Sequence, residues 1–333
     1  MPETSTAAHG GADALDTIEL PSPGTVRRGT LRFSHPTLAD WSWPYTAVRG
    51  AADGPHLALT SGVHPAEYPA IEANIRFMRG LDPAALHGSI VSLPLIDVPA
   101  FLPRTPFVCP IDGKNPNRCF PGDPNGTFTD VLVDAIFRSV IQPADALVDL
   151  HGGDMVEALA PFSIYSVTGN EEVDARSAAM GRAFGLPYLI ANRPQPGSLG
   201  GMTVQAAASA GVPGIIAEAG SSGLLTEPET QMLVEGVGNI LRHLGMLDGE
   251  TRQASPIVEI DRFTWMTSPA EGMWYPSVAV GDAVTEDQTI GRIGDLFGET
   301  LAEITAPHDG DVLFITSAPA MRKDGLLLAV GER

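Results

Sequence analysis

Cysteine is nearly missing from this chain of 333 residues, which has only Cys109 and Cys119. Two thiols cannot staple a chain of this length, and such scarcity suits a reducing compartment, so both are expected to be free. Positive charge is also scarce: 20 Lys+Arg stand against 40 Asp+Glu, for a formal net charge of −20. Gripping a phosphate backbone or an anionic bilayer needs clustered Lys and Arg, so neither nucleic acid nor membrane is an expected partner. No run approaches the ~18 apolar residues of a membrane-spanning helix. The N-terminal stretch has neither a positive n-region nor an apolar h-region, so it does not read as a secretory leader, and the cytoplasm is the expected location.

What the chain does contain is ample apolar content, 44%, for a sizeable core. Residues 1–24 are small, polar and Gly/Pro-containing, and read as a mobile arm. From 25 to 246, short apolar runs (HLALTSG, SIVSLPLI, ALVDL, GIIAE) alternate with amphipathic stretches (AEYPAIEANIRFMRGL, ETQMLVEGVGNILRHLG). That alternation predicts an α/β fold whose largely parallel sheet is flanked by helices. GMLDGETRQASP reads as a linker. Over 257–333 the helical period disappears and short β-like runs divided by Gly, Asp and Pro predict a small all-β domain.

Three of the apolar runs lead into residues capable of metal or acid–base chemistry. HLALTSGV leads to His64 and, three residues on, Glu67; ALVDL leads to His151; GIIAE ends in Glu218. In parallel α/β sheets the ligand crevice lies beyond the carboxyl ends of the strands, so these distant residues are placed to converge. Two histidines and a glutamate form the protein shell of a catalytic zinc, with one position left open for water; a structural zinc is closed by a fourth protein ligand. Asp149, two residues before His151, is read as facing away from the site, which leaves Asp154 and Asp97 to orient an imidazole. His9, His35, His56, His87, His243 and His308 lack acidic partners at ligand spacing and are read as packed or solvated.

Taken in order, SGVHPAEYPAIEA, KNPNRCFPG, DLHGG and AEAG resemble the succinylglutamate desuccinylase and aspartoacylase family, relatives of the zinc metallocarboxypeptidases. The resemblance covers about residues 55–245, and a β-rich tail is also typical of that family. It implies a zinc-carboxypeptidase-like mixed sheet, one Zn²⁺ per chain on His64, Glu67 and His151, Glu218 as general base and proton shuttle, and Asn117 with Arg118 on the substrate carboxylate. The other reading of Arg118 is a salt bridge within its loop, to Asp112 or Asp123. Arg104, in FLPRTPFV, is the candidate for stabilising the oxyanion, although aspartoacylase places its upstream arginine closer to the Asn-Arg pair.

The implied activity is zinc-dependent hydrolysis of the amide bond of a small N-acyl amino acid or related N-acylated amine, with deacetylases of N-acetyldiaminobutyrate type the nearest in style. A metallocarboxypeptidase acting on short peptides and a non-catalytic zinc-binding module are the alternatives, and a homo-oligomer is left open. The tail resembles half of a biotinyl/lipoyl-like barrel. Its one lysine, Lys323, lies well past the APHDG turn, so a structural or site-shaping role is expected in place of prosthetic attachment.

Overall fold

Runs such as ALVDLH and GIIAE have no polar face, and strands of that kind are stable only where both sides of a sheet are covered. They lie in such a place here. The computed structural model describes residues 13–14, 18–193, 201–252 and 256–333. Its strands begin with β1 (Asp13–Ala14), β2 (Thr25–Arg32), β3 (Trp43–Arg49), β4 (Ala52–Ser61), β5 (His87–Leu93) and β6 (Ala146–His151). β7 (Glu157–Leu159), β8 (Phe162–Ser166), β9 (Tyr188–Asn192), β10 (Gly214–Glu218) and β11 (Val258–Ile260) follow.

All of these except β7 form one ten-stranded sheet in the order β1-β2-β3-β5-β4-β6-β10-β8-β9-β11. Its central run, β5-β4-β6-β10, is parallel throughout, whereas β2 with β3, β3 with β5 and β10 with β8 are antiparallel. The sheet is therefore mixed and largely parallel, as expected.

Helices cover both faces. They are α1 (Tyr68–Gly80), α2 (Val98–Phe101), α3 (Phe128–Ile136), α4 (Glu171–Phe184), α5 (Thr203–Ser209) and α6 (Glu227–His243). One core joins the sheet to α1, α4 and α6 through Ala73, Met78, Phe184, Val237 and Ile240. The opposite core takes in Leu132 and Ile136 of α3 and Val204 and Ala207 of α5.

The last strands are β12 (Phe263–Thr267), β13 (Gly272–Pro276), β14 (Ala283–Val284), β15 (Thr289–Gly294), β16 (Thr300–Thr305), β17 (Gly310–Thr316), β18 (Ala320–Met321) and β19 (Leu326–Gly331). They build two antiparallel sheets, β12-β19-β17-β14 and β16-β15-β13-β18, around Trp274, Ile290, Ile293, Val312 and Leu328. This unit is all-β, but it is tied into the larger domain. β7 pairs with β17, matching Leu159 to Phe314, and Leu313, Phe314 and Ala329 belong to the same core as α3 and α5. β11, inside the 257–333 segment, is an edge strand of the main sheet beside β9.

At the other end of the chain, residues 1–12 and 15–17 of the expected arm, His9 included, lie outside the described residues. β1 pairs with Leu31 and Arg32, and Ile18 packs on the core, so this part of the arm is docked.

Candidate metal centre and substrate pocket

β4, β6 and β10 are neighbours in the sheet and run in the same direction, so their carboxyl ends open on one crevice. Past β4 the chain turns through Gly62, at φ 64°, and the Glu67 N–H donates to the His64 carbonyl at 3.3 Å, closing the turn that leads into α1. Glu67 is the N-cap of that helix, where the exposed N–H dipoles favour a carboxylate. His151 ends β6, and Glu218 ends β10 directly opposite it in register.

The glycines that follow have a packing reason. A Cβ on Gly152 would lie 2.5 Å from the Ala219 carbonyl oxygen, and one on Gly153 would lie 2.6 Å from the Glu157 carbonyl oxygen. Only bare backbone lets the two strand ends approach this closely.

The structure brings His64, Glu67 and His151 together. One donor atom from each lies within 4.8 Å of the others, and all three residues are buried. His64 Nδ1 is 2.7 Å from Glu67 Oε1, and His151 Nδ1 is 2.9 Å from Glu67 Oε2. The far side of each ring faces an acceptor: His64 Nε2 is 3.1 Å from Asn115 Oδ1, and His151 Nε2 is 2.9 Å from Asp149 Oδ2. Those acceptors hold a proton on each Nε2, so that when an ion displaces the Nδ1 protons now shared with Glu67, each Nδ1 lone pair would face it, the tautomer that metal ligation requires. The donor set therefore fits a zinc ion. Burial works to raise the Glu67 carboxyl, but the two imidazoles outweigh it and hold the group down at about 2.

Asp149 corrects the sequence reading. Residues two apart on a strand share a face, so Asp149 lies on the His151 side and orients its ring. It is fully buried and also accepts from the Thr60 hydroxyl at 2.7 Å and from the Thr203 hydroxyl. Asp154 instead accepts from the backbone N–H groups of Phe107 and Met155, which fixes the loop against the site. Asp97 is fully buried beside Cys109 and reaches neither imidazole, and burial pushes it up to about 6.

A cavity of about 270 Å³ opens beside the three ligands and is bordered by Glu218, Asn117, Arg118 and Glu157. Glu218 is half-buried; its Oε2 is sealed from solvent with no hydrogen-bond partner among the described residues, and burial, with help from Glu67 and Glu157, pushes this carboxyl well above the usual range. A buried, unpaired carboxylate oxygen at a strand end is unusual for a merely structural group. Asn117 is buried, and its Oδ1 accepts from the Thr203 N–H at 3.0 Å, pinning the loop to α5. Among the described residues the Arg118 guanidinium bonds only its neighbour's carbonyl, that of Asn117, at 2.7 Å. Its expected alternative partners are occupied elsewhere: Asp112 accepts from Thr127 and Thr129, and Asp123 from the Asn125 N–H. Among the described residues it is the one cation on the cavity wall.

Arg104 is not brought to this cavity. It sits in an exposed turn at φ 58° and is absent from the lining, because the loop bends away between α2 and Phe107.

Sequence reasoning missed Glu157 and three apolar lining residues from the tail, Trp265, Phe314 and Leu326. Burial, reinforced by the negative charge of Glu67, holds Glu157 up at about 7. Its one signal in the sequence is its place as the second acidic residue after HGG, at the head of the apolar stretch ALAPF.

Residues 53–244 match the family described as the succinylglutamate desuccinylase/aspartoacylase catalytic domain, and the chain belongs to that family. It is accordingly an amide-hydrolysing enzyme of the deacylase kind. Among particular relatives, the N-alpha-acetyl-L-2,4-diaminobutyric acid deacetylase of Halomonas elongata is 30% identical over 295 residues, spanning 86% of this chain and 84% of that protein. The product-bound ectoine utilization protein EutE (DoeB) of Ruegeria pomeroyi superposes with a TM-score of 0.84 at 26% identity, covering 95% of this chain and 98% of that one. A succinylglutamate desuccinylase/aspartoacylase of Rhodobacter sphaeroides gives 0.83 at 26% identity, over 95% and 97%. Among the described residues no helix is long and apolar enough to cross a membrane.

Proposed function

We propose that this enzyme is a zinc-dependent deacylase that hydrolyses the amide bond of a small N-acyl amino acid, with an N-acetylated diamino acid, the substrate class named for the Halomonas relative, as the leading candidate. The observation that carries the reading is the convergence of the His64, Glu67 and His151 donor atoms beside Glu218 in one cavity that also presents Arg118. A cavity of about 270 Å³ suits an amino-acid-sized ligand, which supports a deacylase over an enzyme acting on peptides of several residues.

His64, Glu67 and His151 would hold the ion, one per chain, and no fourth protein ligand closes the cluster among the described residues. A bound zinc supplies Lewis-acid polarisation of the amide carbonyl and makes water acidic enough to ionise near neutral pH. Arg118 grips the substrate carboxylate through its planar fork of N–H donors, and Asn117 fixes the loop that carries it. Glu218 accepts the proton of the attacking water on its unpartnered carboxylate and returns it to the leaving nitrogen. The buried setting suits the first half of that task, because a carboxylate with a raised pKa takes up a proton more readily than a solvated one and holds it until the leaving nitrogen becomes basic.

Metal analysis and turnover of N-acetyl, N-succinyl and N-formyl amino acids test the reading. The parent should hold about one zinc per chain, with His64→Ala and His151→Ala both depleted. Glu218→Gln should keep its metal and lose about 10²- to 10⁴-fold in kcat. Full metal in both histidine variants, or Glu218→Gln within about threefold of the parent, overturns the assignment.

A further inference from the structure

The cavity wall carries two charged side chains that neither the metal cluster nor the proton transfer uses, and they have opposite signs: Arg118 and Glu157. Glu157 leads β7, which leaves the main sheet to pair with β17, so the tail holds this residue in place from behind. The Thr316 partner across β17 fixes its register, and the Ser222 N–H donates to the Glu157 carbonyl, which anchors its backbone a second time. Its carboxylate is only partly satisfied. Oε2 accepts from the Asp154 N–H at 3.1 Å, and among the described residues the carboxylate accepts no other hydrogen bond. Arg118 is close enough for the two charges to be felt, yet no ion pair joins them.

Glu157 is half-buried on a largely apolar wall, and one of its oxygens faces no donor of the chain among the described residues, so a ligand that fills the cavity and displaces its water has to supply a partner or bear the cost of an unpaired carboxylate. The ligand this geometry selects is a cation. The acylated nitrogen of an N-acyl amino acid is neutral and its carboxylate belongs to Arg118, so the positive group must be a second amine.

We infer that Glu157 is the specificity-determining residue of the pocket, reading a free side-chain ammonium on an N-acylated diamino acid whose carboxylate lies on Arg118. This inference rests on the deacylase reading above and deepens it: Phe162, Ile164 and Phe314 give the pocket apolar walls for a short aliphatic stem, with Glu157 as the polar terminus that rejects neutral and acidic side chains. Rejection follows because an uncharged side chain leaves the buried carboxylate without its partner, and an acidic one sets like charges together.

The test compares two stems of the same length and shape, Nα-acetyl-2,4-diaminobutyrate and Nα-acetylnorvaline, whose terminal ammonium and methyl groups occupy similar volumes. The zinc-loaded parent should favour the cationic substrate by about 10- to 100-fold in kcat/KM, the scale of one charge-assisted hydrogen bond. Glu157→Gln keeps an oxygen for the Asp154 N–H, so it should fold with a near-parent melting temperature. It should lose most of that preference, through slower cleavage of the diaminobutyrate substrate and cleavage of acetylnorvaline no slower than by the parent, as expected once the charge that rejects a neutral stem is gone. Calorimetric binding of the deacylated products, 2,4-diaminobutyrate and norvaline, reads the same preference without turnover.

A parent that hydrolyses both substrates but shows no preference overturns the role of Glu157 and leaves the deacylase reading standing. Equal loss on both substrates in Glu157→Gln makes it a general structural or catalytic group and overturns the specificity role. A parent that cleaves neither yet binds 2,4-diaminobutyrate selectively, with the selectivity lost in Glu157→Gln, supports the ammonium site and sinks the deacylase reading. No selective binding sinks the ammonium site whatever the turnover.

Discussion

Asp149 is where the metal centre and the fold depend on the same atoms, so replacing it has consequences that can be worked out. The residue is fully buried; Oδ1 accepts from the Thr60 hydroxyl at 2.7 Å, while Oδ2 accepts from the Thr203 hydroxyl and from His151 Nε2 at 2.9 Å. Asp149→Ala leaves three donors without an acceptor. An orphaned buried donor costs about 1–3 kcal/mol, but the two hydroxyls can rotate toward other acceptors and the imidazole cannot. The net loss of stability should therefore be about 3–5 kcal/mol, most of it due to the ring and the emptied volume.

The metal suffers separately. With no acceptor at Nε2 the imidazole is free to carry its proton on Nδ1, the atom turned toward Glu67, and zinc affinity should fall by about 10- to 100-fold. Asp149→Asn is the control: turned so that its oxygen faces His151 and Thr203, its amide keeps those two bonds, loses the charge, and obliges the Thr60 hydroxyl to rotate and accept from the new NH2. It should cost about 1 kcal/mol and weaken zinc toward the lower end of that range. Thermal unfolding in chelator measures the first effect, and competition with a chromophoric chelator the second. An Asp149→Ala protein that folds and binds zinc as tightly as the parent refutes the argument that this carboxylate sets the tautomer of His151.

Arg118→Ala should raise KM by about tenfold or more with a smaller change in kcat, because the lost bidentate grip belongs to substrate and transition state alike; a pure kcat defect at unchanged KM would move Arg118 from the carboxylate to the reacting centre. Burial pushes the Cys109 thiol up to about 12 and the Cys119 thiol to about 11, so at pH 8 the thiolate fractions are about 10⁻⁴ and 10⁻³, and alkylation of the native protein should be slow and rise with pH. A thiol titrated within minutes under native conditions would contradict that burial. His56 is held below its usual value chiefly by burial. A base with a lowered native pKa adds stability that is complete above its unfolded value near 6.5 and is lost as pH falls through that value toward the native one. The drop in melting temperature between pH 7.5 and 5.5 should accordingly be smaller in His56→Gln than in the parent, and an equal drop would place a neutralised charge partner beside it.

The candidate metal ligands were legible in the sequence because they stand at or just past the ends of runs too apolar to be anything but buried strands, and strand ends in a parallel sheet converge. Glu218 was legible for the same reason. Asp149 was lost to a parity slip: ALVDLH reads as buried on both faces, so nothing in its composition marks which residues share a side with His151, and only the period of two settles it. Arg104 was proposed from its position upstream of the Asn-Arg pair, a one-dimensional argument that the turn at φ 58° defeats by sending the side chain to solvent. Glu157 left almost no trace, because what makes it part of the pocket is a strand pairing with residues some 150 positions later in the chain.

That pairing also explains why the tail could be recognised as all-β and yet not as part of the site. Periodicity and turn residues report local structure, and they pointed to a series of short strands without showing what those strands lean on. Leu159 and Phe314 lie side by side across β7 and β17, and Phe314 stacks at 5.1 Å against Trp265, whose ring is half exposed at the cavity. The larger domain therefore supplies the candidate metal ligands, Glu218 and both charged residues of the wall, while the tail supplies Trp265, Phe314 and Leu326 on an apolar side of the cavity. A domain that serves only as a carrier would present its modified residue away from its neighbour; this one turns a core strand toward the active site and leaves Lys323 in an exposed turn between β18 and β19. The shape of the pocket, and hence the choice of acyl group and side chain, is set jointly by segments that no local reading of the sequence could bring together.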